Sequence, residues 1–454
     1  MRIQWALLCV VATSLAGFSQ DKNFDLSKYT FPDYKRHEIE LNFNSEVRGN
    51  DYYYETPFRS DDPGIMKVDQ KNFYSNSDAA LVYTYEKHTR KHIDLLYSSL
   101  SGLHHYSKYN NTQEKRKTYE FEGSWNFSGS SRFYLTRDKL FVEGLSTMWF
   151  SYSDSKRTNE PVGQNSMTDK RKSNTLSLSA GLGIGIGRLE KVNDFWQTYY
   201  ILEKLNGQKS LRRELEEKDV FEFATLASIL KNERFFDARL RKIAELKALD
   251  SLLKSQGLIE NGDIAYFTTL NDYWSYGNFP ERRSGGELKV QVMPEYTSNY
   301  WKNDELPSTT SSHTNLVSKI QFEHAKQLNL YWERTFSLMA SNSSRLATDE
   351  ELPDDYPSNL LRTEARAGFG FYPNSRTSLK VEGSYSGYEH ARTETDQTEK
   401  KWNHALFLGL NSNYYISPQL QLTASMSGAY DFSEYHSMEY KSMYYEVGLR
   451  YAVF

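Results

Sequence analysis

The chain has 454 residues, 55 of them Lys or Arg and 59 Asp or Glu, giving a formal net charge of −4. That balance offers no electrostatic reason to expect a nucleic-acid partner. A mean hydropathy of −0.71 and the absence of any run of about 18 apolar residues exclude a polytopic helical membrane protein. The 34 Tyr, 25 Phe and 8 Trp set so polar a chain apart from disordered sequences and from ordinary Leu-rich globular ones.

Residues 1–20 begin with a basic Arg2, continue through an apolar stretch from Trp5 to Leu15 and end in small and polar residues, which reads as a secretory signal peptide. The sole cysteine, Cys9, lies inside it. Cleavage near Gln20 leaves no cysteine, which excludes disulfides, Cys-based catalysis and Cys-ligated zinc in the mature chain.

From His37 onward the dominant period is two. In the last segment Tyr445, Val447, Leu449, Tyr451 and Val453 fall on one face, with Glu446, Gly448, Arg450 and Ala452 on the other. Leu406, Leu408 and Leu410 alternate in the same way with Phe407, Gly409 and Asn411, and Leu379, Val381 and Tyr385 with Lys380, Glu382 and Ser384. The pattern predicts strands near 37–49, 75–88, 91–106, 116–128, 137–153 and 172–188, then near 284–301, 311–325, 327–341, 357–372, 375–391, 400–415, 418–433 and 439–454. That makes about fourteen, an even number. Long polar links at 50–74, 107–115, 154–171, 302–310, 342–356 and 392–399 alternate with short ones. A barrel with short turns at one end and long loops at the other predicts this alternation, and a β-sandwich does not. Aromatic pairs such as Phe371-Tyr372 and Tyr300-Trp301 sit near strand ends, as interface girdles do.

These features resemble the outer-membrane β-barrels of Gram-negative bacteria, in a Bacteroidota-like style. Members of that family end in an assembly signal read by the barrel-assembly machinery. Glu446, Gly448, Tyr451 and Val453 match it in order, with Phe454 one residue beyond the match. The resemblance implies an all-β transmembrane antiparallel barrel in the cell outer membrane, with the lipid bilayer and that machinery as partners.

Between 189 and 283 the period changes to about 3.6. Phe195, Trp196, Tyr199, Leu202 and Leu205 form a stripe after the candidate N-cap Asp194. A second stripe holds Val220, Phe223, Ala224, Ala227 and Leu230. A third runs Phe236, Leu240, Ile243, Leu246, Leu249 and Leu253, and a short fourth follows Asp263 with Ile264, Phe267 and Leu270. The chain thus divides into a leader (1–20), a first half-barrel (21–188), an inserted α-helical bundle (189–283) and a second half-barrel (284–454). If the N-terminus is periplasmic, six strands return the chain to the periplasm, so a periplasmic bundle is expected. Gly181, Gly183, Gly185 and Gly187 on the inward face are expected either to seat part of this bundle or to permit strong curvature.

Candidate lumen-lining residues are Glu38, Glu40, Glu120, Glu122 and Glu143 on the first strands, and Arg362, Arg366, Lys380 and Arg450 on the later ones. They suit either a transverse field across a water-filled pore or a lumen filled by cross-strand ion pairs. His104 and His105 alternate to opposite faces, and no HExxH, phosphate loop or EF-hand occurs. No enzyme activity, metal or cofactor is expected. The expected function is a channel or transporter for small hydrophilic solutes, restricted by the helical insertion. The rival is a non-transporting envelope scaffold whose insertion docks a periplasmic protein partner.

Overall fold

The computed structural model describes residues 29, 32–57, 65–111, 114–136, 139–232, 238–276, 282–304, 306–349, 359–394, 397–417, 420–434 and 438–451. The leader with Cys9, and Val453 and Phe454 of the terminal motif, lie outside them. Six strands come first: β1 (Tyr34–Pro57), β2 (Ile65–His88), β3 (His92–Asn110), β4 (Glu114–Thr136), β5 (Leu140–Pro161) and β6 (Met167–Lys191). Four helices follow, numbered here α1 (Asn193–Gly207), α2 (Glu217–Asn232), α3 (Ala238–Ser255) and α4 (Ile264–Ser275). The chain then returns through β7 (Arg283–Asn303), β8 (Thr309–Gln327), β9 (Trp332–Thr348), β10 (Asn359–Asn374), β11 (Thr377–Glu394), β12 (Gln397–Tyr415), β13 (Leu420–Ser433) and β14 (Met438–Tyr451).

Each strand pairs antiparallel with its sequence neighbours, so the fourteen make one up-and-down sheet in chain order. β1 and β14 are its edges, and no pairing joins them among the described residues. The register confirms the period of two. Tyr445, Val447 and Leu449 stand 69–78% exposed on the outside, as do Leu182, Ile184 and Ile186 at 55–76%. On the other face of the same strands, Thr423 meets Gly448, and Glu143 meets Gly183. An apolar surface this extensive faces outward while polar groups face inward, the inverse of a water-soluble sandwich.

The long links of the sequence reading are corrected by the structure. β1 runs on to Pro57 and β2 starts at Ile65, β3 and β4 leave only 111–113 between them, and β11 and β12 leave only 395–396. Once the sheet passes the apolar belt both faces are polar, so alternation disappears while backbone pairing persists. Composition there reads as loop. A 24-residue strand such as β2 extends about 80 Å along its axis, or roughly 60 Å in height at a tilt near 40°. An apolar belt of about 25 Å covers under half of that.

The four helices bury one core. Phe195, Ile201, Leu202 and Leu205 of α1 pack with Val220, Phe223 and Ala227 of α2, Leu249 and Leu253 of α3, and Tyr266 and Leu270 of α4. Asp263 caps α4, accepting from the Tyr266 backbone N–H at 2.8 Å. Asp194 is not the cap of α1. It lies within the first turn, buried, and accepts from Ser228 Oγ (2.6 Å) and Lys231 Nζ (2.8 Å), tying α1 to α2. Three residues of the expected stripes, Ile243, Ile264 and Phe267, are exposed instead at 66%, 87% and 45%. Phe236 lies outside the described residues.

Gly187 (φ 100°) and Gly285 (φ 117°) flank the insertion with left-handed backbone. A Cβ at Gly187 would overlap the Gly286 carbonyl oxygen, and one at Gly285 the Arg188 carbonyl oxygen. Gly187→Ala or Gly285→Ala is expected to cost at least about 1–2 kcal/mol. The measurement is denaturant unfolding in detergent, and a cost below about 0.5 kcal/mol would contradict the assignment.

Candidate pore and the helical bundle at its short-turn end

Inside the sheet, Arg132 of β4 donates to Glu287 Oε2 of β7 (2.8 Å) and to Glu143 Oε1 of β5 (2.9 Å), with its guanidinium 4.2 Å from the centre of the Phe141 ring. Gln291 Nε2 of β7 donates to the other Glu143 oxygen at 2.7 Å, and Lys289 lies 3.4 Å from Glu287. This network reaches from β4 and β5 to β7 across β6. It can do so because β6 offers only hydrogen at Gly183 and Gly185. The nearest atoms to a Cβ at Gly185 are the Phe141 ring and the Leu288 carbonyl, and at Gly183 the Gln291 side chain and Val290 carbonyl. At Gly181 they belong to Val292 and Met293. Strand atoms, not helices, surround the glycine row, which corrects the expected helix packing: the missing side chains form a lane that side chains of β5 and β7 fill.

The interior holds two cavities lined by charged and apolar side chains, which share Leu189, Arg283 and Glu323 in their walls. One, about 680 Å³, is lined by Glu86, Arg132, Glu143, Lys191, Glu287 and Lys319 among others. The second, about 590 Å³, is lined by Glu333, Glu364, Arg366, Lys380 and Glu382 among others. Arg283 and Glu323 approach to 3.9 Å between them. Each cavity carries both signs of charge, so neither offers a single-sign field.

The expected lumen residues separate accordingly. Glu143, Arg366 and Lys380 line the cavities, and Arg362 pairs with Glu364 at 3.5 Å. Glu38 lies on the inward face in an exposed pair with Arg36 (3.0 Å). Glu40, opposite Val82, and Glu120 and Glu122, opposite His105 and Leu103, share the inward register but line neither cavity. Arg450 is opposite Gln421 in the register, Glu446 opposite Ser425 and Tyr451 opposite Leu420. Arg132 and Glu287 escaped the sequence reading although alternation placed both inward; their signal was parity with Glu120 and with Lys289.

The bundle lies across the short-turn end. Arg282, almost fully buried, sits between the rings of Trp196 (4.6 Å) and Tyr372 (4.3 Å). It donates through Nε to Gln327 Oε1 (2.9 Å) and through Nη1 to the Leu330 carbonyl (3.2 Å). Tyr200 of α1 donates to the Tyr372 carbonyl at 2.5 Å, and Tyr372 in turn to Glu333 Oε2 at 2.7 Å. Arg376, in the β10–β11 turn, donates to both oxygens of Asp272 on α4 (2.7 and 2.8 Å). Tyr276 stands 6.3 Å from Tyr415 at the β12–β13 turn. On the opposite flank Tyr29 of the N-terminal segment packs on Phe195 and Phe221, and Arg188 donates to the Arg90 and Thr89 carbonyls of the β2–β3 turn. The helices are thus tied to the turns after β8 and β10 and, on the opposite flank, to the N-terminal segment.

Within the bundle, burial pushes the Asp194 carboxyl up, but the Lys231 ammonium and Ser228 hydroxyl hold it below the usual carboxylate range. Asp219 is likewise held low against its burial by the two bonds from Arg213 (2.7 and 2.8 Å). A depressed folded-state pKa contributes stability above the unfolded value near 3.9, lost as pH falls through the folded value. Protection of the α1 and α2 amides, taken relative to their intrinsic exchange rates at each pH, should therefore fall below about pH 4, and Asp194→Asn should flatten that dependence. An unchanged profile in the variant would remove Asp194 as the titrating group.

Among the described residues no group of three or more His, Cys, Asp or Glu is placed to hold a metal ion. No protein-family model matches the chain, and no curated protein matches it. Solved structures with similar strand paths include the Pseudomonas putida toluene transporter TodX, at 7% identity over 95% of this chain and 93% of that one with a TM-score of 0.30. The translocator domain of the autotransporter NalP from Neisseria meningitidis aligns at 9% identity over 91% and 95%, with a TM-score of 0.23. A loop-deleted OmpT, an outer membrane protein of Vibrio cholerae, aligns at 8% over 91% and 99%, with a TM-score of 0.26. Superpositions this loose carry no argument about what the chain does. On its own strand order, face alternation and polar interior, the chain has the fold of an outer-membrane β-barrel with an inserted helical bundle.

Proposed function

We propose that the chain is an outer-membrane channel or transporter for small hydrophilic solutes, with the helical bundle restricting the lumen from its periplasmic end. In the membrane the outward belt meets lipid, and β1 pairs with β14, since an open sheet edge is not viable in hydrocarbon. The β14 edge carries the signal that the barrel-assembly machinery reads. The observation that carries the reading is the pairing of two interior cavities with charged side chains in their walls with helices fastened across one end of the same interior. Mixed charge in both cavities favours zwitterionic or neutral polar solutes over a single ion type.

Planar-bilayer recording tests the reading. Full-length protein should conduct in small steps, and a chain lacking 190–283 that still forms a heat-modifiable barrel should conduct several-fold more. Equal conductance from the two folded proteins would sink the restriction. A barrel closed at all voltages in both would favour a scaffold, for which exposed Ile243, Ile264 and Phe267 would be the docking face for a periplasmic protein.

A further inference from the structure

The outer face is not uniform around the wall. On β5, β6 and β7 the outward residues beside the short turns are Val142, Ile184 and Val290, each more than 40% exposed. One row further in, the register aligns Lys87, Asp94, Ser131, Gly144, Leu182 and Val292 across six strands. Lys87 is one residue from the end of β2 and Asp94 two from the start of β3, so the charged end of the row lies at the short-turn rim, while Leu182 and Val292 stand deep in β6 and β7.

These groups form one cluster with His92. Lys87 Nζ lies 3.4 Å from His92 Nδ1 and donates to it, which leaves the Nε2–H facing Asp94 Oδ1 at 2.9 Å and Ser131 Oγ at 3.0 Å. Ser131 donates to Asp94 at 2.7 Å. The β2–β3 turn fixes the ring's backbone, the His92 N–H donating to Thr89 Oγ1 at 2.9 Å. Asp94 is thus met by a hydroxyl and an imidazole, and Lys87 by that same imidazole. Among the described residues no Lys or Arg stands within ion-pair distance of Asp94, and no Asp or Glu within that distance of Lys87. A nucleophilic triad would need the carboxylate on the imidazole nitrogen opposite the serine; here both share Nε2.

Beside the cluster runs an apolar groove of about 760 Å³. Its floor is Gly129, Gly144, Ser146 and Ala180, and Phe127 and Leu182 stand at its rim. A Cβ at Gly144 would meet only a strand carbonyl at 4.0 Å, so the floor is open. A separated cation and anion at the headgroup end of an apolar trough are complementary to one class of molecule. We propose that this is a binding site for a single zwitterionic phospholipid of the adjoining leaflet. Asp94 takes the headgroup ammonium, Lys87 takes the phosphate, and one acyl chain lies in the groove over Gly144 and Ser146. The site rests on the reading that the outward belt meets lipid.

The test is native mass spectrometry of the intact chain, delipidated and re-exposed to equimolar phosphatidylethanolamine and phosphatidylglycerol. One phosphatidylethanolamine should be retained with about tenfold preference, the size of one charge-assisted contact. Asp94→Asn should erase the preference, and Gly144→Trp should abolish retention. Gly383→Trp, an outward substitution on β11, should leave both intact. Non-selective retention by the wild type, unchanged preference in Asp94→Asn, or retention in folded Gly144→Trp equal to wild type overturns the site. Should Gly144→Trp fail to fold, the Asp94→Asn headgroup readout decides alone. A chain that inserts into membranes without selecting a lipid overturns only this site, whereas one that fractionates outside membranes overturns the underlying reading.

Discussion

Arg132→Ala is expected to destabilise the folded barrel by about 3–5 kcal/mol and to shift the reversal potential toward cation selectivity. Arg132 satisfies Glu143 and Glu287, whose side chains are only 4% and 5% exposed. Solvent therefore does little to screen the two carboxylates once the guanidinium is gone. Lys289 remains 3.4 Å from Glu287, and Gln291 still donates to Glu143, but one buried negative charge is left in excess. Unfolding in denaturant reads the stability, and bilayer recording in a salt gradient reads the selectivity. Because the cost comes mainly from the orphaned charge, Arg132→Ala combined with Glu143→Gln should be less damaging than Arg132→Ala alone. A double variant that is as unstable as the sum of the singles, or an Arg132→Ala cost below about 1 kcal/mol, would show the network to be loosely solvated. Glu120 and Glu122 lie outside both cavities, so reversing their charge should move the reversal potential less than Arg132→Ala does.

Arg282→Ala should release the bundle and raise single-channel conductance several-fold. Three charge-assisted hydrogen bonds, two to Gln327 Oε1 and one to the Leu330 carbonyl, worth about 1.5–3 kcal/mol each, and the stacking between Trp196 and Tyr372, worth about 2 kcal/mol when desolvated, are lost together. Arg282→Lys should not rescue the closed behaviour, because an ammonium cannot reach Gln327 and Leu330 at once while lying flat between two rings. Arg376→Ala removes a pair that is one-third exposed on both sides, so its effect is expected to be at most about 1 kcal/mol. Conductance of Arg282→Ala equal to wild type, with hydrogen exchange in α1 unchanged, would show that this residue is not the latch.

Much of this architecture was legible because its physics is local. Alternation along one strand decides which side chains face out, so Tyr445, Val447 and Leu449 could be assigned from sequence alone. The switch to a 3.6 period at 189 announced the helices, and Asp263 announced the start of α4. Polar strand beyond the belt was not legible, since pairing there leaves no trace in composition.

Position within the barrel was a different matter. Gly183 and Gly185 read equally well as a seat for a helix or as room for curvature, and only the neighbouring strands show that Phe141 and the Glu143 network occupy the space. Arg282 sits between elements more than 80 residues apart in sequence, Trp196 and Tyr372, so no window along the chain contains its environment. The sequence by itself determined the number of strands, their faces and the place of the insertion, because those follow from nearest-neighbour periodicity. The ion-pair network, the two cavities and the fastening of the helices across one end were decided by tertiary structure, where coiling of the sheet brings distant inward side chains within bonding distance.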